Sequence, residues 1–153
     1  ASRGSALAFL LAAAVVALWR ADTPFAHGWW LVAYLALVGG CAQLLLGPGR
    51  EWIATQIGAT LPSARWRRWE IGLWNTGTFA VPAGVLTDSA SPVLVGSVLL
   101  LTALALHAAG LGRTARWARR PGRGWACPYY ALVLSLSASV FIGAGLAEAL
   151  PWQ

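Results

Sequence analysis

Read from one end to the other, the chain alternates five apolar runs with short polar stretches. The runs cover residues 4–19, 29–47, 69–87, 93–112 and 126–150. A helix needs about 20 residues to cross a hydrocarbon core ~30 Å thick, and the alanine-rich first run is only just long enough. Gly47-Pro48-Gly49 predicts a firm stop for the second helix. Pro82 predicts a kink in the third, and Pro92 stands just before the start of the fourth. In the long connection after Pro48, residues 51–61 predict a short interfacial helix with Trp52, Ile53, Ile57 and Leu61 on one side. The pattern predicts an all-α, polytopic integral membrane helical bundle, forming one domain over residues 1–153.

Charge gives the bundle a direction. There are eleven arginines and no lysine. Arg50, Arg65, Arg67 and Arg68 fall in one loop, and Arg113, Arg116, Arg119, Arg120 and Arg123 in another. The alternate loops carry Asp22, Asp88 and Glu148 and, apart from Arg20, no basic residue. Basic loops face the cytoplasm in multi-pass proteins, so the N-terminus is expected inside, the C-terminus outside, and the protein in the plasma (inner) membrane. The first run also has the form of a signal peptide, with Arg3 as its basic start. Val15-Val16-Ala17 is a poor cleavage site, and a retained helix is the expectation.

Composition agrees, with 58% hydrophobic and 10% charged residues. The formal charge of +6 flanks apolar runs rather than a soluble surface, which argues against nucleic acid and for the anionic lipids of the inner leaflet. Most of the ten tryptophans lie at run ends, as an interfacial aromatic belt does. Cys41 and Cys127 form no CxxC pair and are expected to be small buried thiols.

Two runs carry small residues at four-residue spacing: Gly72, Thr76, Ala80 and Gly84 in the third, and Ala131, Ser135, Ser139, Gly143 and Ala147 in the fifth. Such stripes let helices approach closely, within one protomer or between copies. Polar residues inside the apolar runs are the other candidates. Gln43 and His107 lie ~21 Å from the outer ends of their helices and Asn75 ~9 Å from the inner end of its own. The three therefore share a depth, where they would form either a hydrogen-bonded network or a ligand site anchored by His107. At the outer mouth His27, Asp88 and Glu148 form a second polar group, with His27 either a capping histidine or paired with Glu148.

His27 and His107 are separated by ~20 Å along the membrane normal, which argues against a haem held by both. No clustered ligand set predicts a metal site, and no complete catalytic set is present.

Between residues 27 and 88 the chain resembles haem–copper oxidase subunit I and shorter membrane proteins related to it. The resemblance is carried by His27 opening an apolar helix, Gly39-Gly40, Pro62 with Arg65, and Leu73-Trp74-Asn75-Thr76-Gly77. The copper-ligand histidines are absent and the loop is longer than the pattern, so oxygen reduction is not implied. What the resemblance implies is a relative that binds haem or accompanies a redox complex.

The leading expectation is a non-catalytic subunit or accessory protein of a membrane assembly, in contact with other subunits or with copies of itself. The alternatives are a haem-, quinone- or lipid-binding module centred on His107, and an enzyme or carrier for a lipophilic substrate using His27, Asp88 and Glu148.

Overall fold

The computed structural model describes residues 2–23, 25, 27–58, 60–116, 124, 127 and 130–140. Helix α1 spans Ser2–Asp22. Helix α2, Gly28–Tyr34, passes into a π-helical segment, Leu35–Cys41, and then into α3, Ala42–Ile57. Helices α4 and α5 span Ala64–Leu86 and Ala90–Arg116, and α6 spans Tyr130–Val140. No strand occurs among the described residues. Among the described residues, three helices are long and apolar enough to cross a membrane: Arg3–Asp22, Gly28–Gln56 and Ala90–Gly110. Contacts cluster into two compact units, Ala1–Pro48 and Gly49–Gln153.

In the first unit, α1 buries a narrow seam of Ala6, Phe9 and Ala13 and leaves Leu7, Leu11, Val15 and Leu18 exposed. Phe9 and Ala13 pack with Leu31 and Leu35. The π-helical segment brings Gly39 and Gly40 against α1. A Cβ at Gly39 would lie 2.6 Å from Phe9 Cγ, and one at Gly40 2.5 Å from Leu10 Cδ2. Arg20, the basic exception in its loop, lays its guanidinium over the Trp29 ring at 4.9 Å, a cation–π contact that suits an interfacial arginine.

Gly47-Pro48-Gly49 does not stop the helix; Pro48 lies inside α3. Proline deletes one backbone N–H and its bond, but the turns beyond are held by buried Ile53 and Ala54 and by the side chain of Arg50. The stop falls at Gly58, whose φ of 64° is the left-handed conformation that ends helices. The expected interfacial helix is therefore the end of α3. Its proposed apolar side is split, with Ile53 buried and Trp52 and Leu61 exposed.

In the second unit, α4 and α5 form a hairpin. Ser89 N–H donates to Gly84 O at 2.9 Å and Asp88 N–H to Val85 O at 3.4 Å, with Asp88 at φ 48°. This is a Schellman cap, in which aspartate takes the place more often held by glycine. Helix α5 starts at Ala90, so Pro92 sits in its first turn, where a missing N–H costs no helical bond.

The hairpin interface is tight. A Cβ at Gly77 would lie 2.8 Å from Gly96 O, and one at Gly96 2.9 Å from Val81 N. The glycines that touch are Gly77 and Gly84, seven residues apart, with Val81 between them. Of the expected stripe Gly72, Thr76, Ala80 and Gly84, only Gly84 joins this contact: Gly72 and Thr76 are exposed and Ala80 is half-buried. Seven-residue recurrence keeps one face of an antiparallel pair in contact, whereas a four-residue series drifts off it. The described part of the α6 stripe, Ala131, Ser135 and Ser139, is also exposed. Its members Gly143 and Ala147 lie outside the described residues. Cys41 and Cys127 are both exposed rather than buried.

Candidate functional site: a buried arginine–glutamate–histidine cluster

Three charged or titratable side chains meet inside the second unit, one from each of three helices. Arg50 comes from α3, Glu70 from the second turn of α4 and His107 from the far end of α5. Each is about 5% exposed. Arg50 Nη1 donates to both carboxylate oxygens of Glu70, at 2.9 Å each. His107 Nδ1 lies 2.5 Å from Glu70 Oε1 and 3.3 Å from Arg50 Nη1.

The hydrogen positions follow from the charges. An ionised carboxylate facing a guanidinium has only lone pairs to offer, so Nδ1 carries the hydrogen that Glu70 accepts. In the neutral imidazole Nε2 then holds the ring's lone pair. The 3.3 Å approach of Nη1 to Nδ1 is two donors converging on one oxygen. A carboxylate that orients a histidine through Nδ1 recurs in catalytic and metal-binding histidines. Here the same bond also closes a cluster across three helices.

Gly110, one turn beyond His107, makes room for the cluster. A Cβ there would lie 3.3 Å from Pro62 Cγ and 3.4 Å from both Arg50 Nη1 and Trp66 Nε1. The Pro62–Trp66 segment therefore packs beside the arginine. Ser63 starts α4 by accepting a hydrogen bond from Trp66 N–H at 3.3 Å, the usual work of a serine cap.

His107 is buried, as its sequence position suggested, and it donates to Glu70, the carboxylate that Arg50 also holds. Gln43 is buried in the first unit, where Ser5 Oγ donates to its Oε1 at 2.7 Å. Asn75 is half-buried on α4 in the second unit. Of the outer-mouth group, His27 belongs to the first unit, at the N-cap position of α2 with φ 61° and no capping bond from its side chain. Asp88 is the exposed capping residue of the α4–α5 turn, and Glu148 lies outside the described residues.

Sequence reasoning passed over Glu70 and took Arg50 as one more loop arginine. The signal was there: Glu70 is a single carboxylate one residue inside an apolar run, beside an arginine-rich loop. A carboxylate at such a position is costly without a cation. Among the described residues, no three histidine, cysteine, aspartate or glutamate side chains gather as a metal site. Comparison with protein-family models, characterised proteins and solved structures finds no match to this chain.

Proposed function

We propose that the chain is a multi-pass protein of the plasma membrane with five spans. Both arginine loops and the N-terminus face the cytoplasm, the C-terminus faces outward, and the protein acts as a non-catalytic helical subunit of a larger assembly. The observation that carries the membrane reading is the surface of α1, where Leu7, Leu11, Val15 and Leu18 are 56% to 73% exposed. Lipid accommodates such a surface and water does not. The subunit reading rests on the cluster, whose charges are spent on one another and bind three helices together.

Cysteine-accessibility labelling tests the topology. A cysteine at Ser89 should label from outside and one at Arg119 only after permeabilisation; equal labelling of both from outside would sink it. Co-purification from mild detergent under native mass spectrometry should show further subunits or copies.

The Glu70–His107 bond favours a second reading, a module that holds a lipophilic ligand. The imidazole is already oriented, and Nε2, on the side away from Glu70, is the atom that would ligate a haem iron or accept a hydrogen bond from a quinol hydroxyl. This reading also fits the partial resemblance to oxidase-related membrane proteins. Haem or quinone retained by the purified protein and lost in His107→Ala would establish it. Their absence from protein extracted under mild conditions would leave the subunit reading.

A further inference from the structure

Of the four arginines in the first basic loop, two are already engaged. Arg50 is buried against Glu70, and Arg67 Nη1 lies 3.8 Å from Glu51 Oε1. Among the described residues no carboxylate pairs with Arg65 or Arg68, and both are exposed. They stand at the start of α4, whose first turn holds no acidic residue. Two cations beside the positive end of a helix dipole are unfavourable unless an anion joins them.

The same face of α4 continues in a different chemistry. At 100° per residue, positions 65, 68, 69, 72, 76 and 79 lie within about 100° of arc. Arg65 and Arg68 come first, then Trp69 at 64% exposure, then Gly72 and Thr76, then Phe79 at 63% exposure. A Cβ added at Gly72 would meet nothing within 4 Å. The strip therefore runs from paired cations through an exposed ring to the small residues Gly72 and Thr76, with exposed Phe79 beyond them.

We infer that this face of α4 is a binding site for one anionic phospholipid, with the phosphate held by Arg65 and Arg68 and an acyl chain lying over Gly72 and Thr76. The charge order matches that molecule, anion first and hydrocarbon after. It also accounts for small residues at four-residue spacing on a face that no described helix of the second unit covers. The inference rests on the membrane reading above.

The test uses the full chain in a non-ionic detergent, observed by native mass spectrometry with phosphatidylglycerol or phosphatidylcholine added. The wild type should retain phosphatidylglycerol preferentially. Arg65→Gln/Arg68→Gln should reduce that retention by about thirtyfold, from roughly 1 kcal/mol per arginine. Gly72→Leu should reduce retention of both lipids by filling the open space over Gly72. Both variants alter exposed positions, and unchanged helical circular dichroism would show that they fold.

Equal retention of phosphatidylglycerol by the double variant overturns the site, as does equal retention of the two lipids by the wild type. Displacement of the lipid by inorganic phosphate at the same concentration would make it a free-anion site instead, overturning the lipid assignment. A change of the chain's own oligomeric mass in Gly72→Leu would make the strip a contact between copies, and would also overturn it. A chain that stays monomeric in detergent-free buffer defeats the membrane reading itself, which is a separate outcome.

Discussion

In the first unit a glycine receives a side chain, whereas in the second a glycine receives a backbone. Gly39 and Gly40 face Phe9 and Leu10, groups that turn about their own bonds; Gly77 and Gly96 face each other's main chain. The buried polar contacts divide in the same way. Ser5 and Gln43 share one neutral hydrogen bond, while Arg50, Glu70 and His107 share a carboxylate between two nitrogen donors. The first unit is joined by contacts that can adjust, and the second by contacts that cannot. Sequence alone makes the two look alike, since both consist of glycine-bearing apolar helices with an occasional polar residue.

The largest effect should come from the carboxylate. Glu70→Ala leaves the Arg50 guanidinium buried without its anion, a loss of about 3–5 kcal/mol, read as thermal unfolding in detergent by circular dichroism. Replacing the whole cluster, as Arg50→Met/Glu70→Leu/His107→Leu, should recover most of that loss, because well-packed apolar groups often match a buried ion pair. A triple variant as unstable as Glu70→Ala would mean that the cluster supplies net stability.

Next in size is Gly96→Ala. The new methyl meets Val81 N and Gly77 O, which cannot rotate aside, and about 1–3 kcal/mol should be lost by overpacking. Gly40→Ala is the matched control. There the leucine can change rotamer, and the gain in helix propensity of about 1 kcal/mol offsets the crowding, so the net change should be near zero. Equal losses at both positions would break the contrast between the units. Apart from that control, the smallest effect should be Ser5→Ala, which removes the neutral hydrogen bond to Gln43, worth about 0.5–1.5 kcal/mol. A loss approaching that of Glu70→Ala would show that the first unit is no softer than the second.

Helix content was legible because apolar runs of this length have few other ways to fold. Helix ends were less legible, and Pro48 shows why. A proline–glycine sequence stops a helix whose next turn has nowhere to bury, but here Ile53, Ala54 and Arg50 anchor that turn. The burial of His107 followed from its place in an apolar run. Its partner did not, because Glu70 was read with the loop charge instead of as a lone acid inside a helix. The small-residue stripe on α4 meets α5 only at Gly84 and leaves Gly72 and Thr76 exposed, since spacing locates a face without saying what covers it. Only the contact with α5 separates Gly77 from Gly72.

The π-helical segment has a bearing on how this chain tolerates change in length. Bonds from residue i to i+5 hold one more residue per turn than an α-helix does, so Leu35–Cys41 works as a phase adjuster in the middle of a long helix. Removing one residue there lets the segment close as ordinary α-helix, with the faces beyond it kept. The same deletion in the α-helical turn that follows has no extra residue to absorb it, and rotates the residues after it by about 100°. A deletion between Leu35 and Cys41 should therefore leave the Ser5–Gln43 bond and the buried side of Leu46 in place, whereas a deletion at Leu45 should turn Leu46 out.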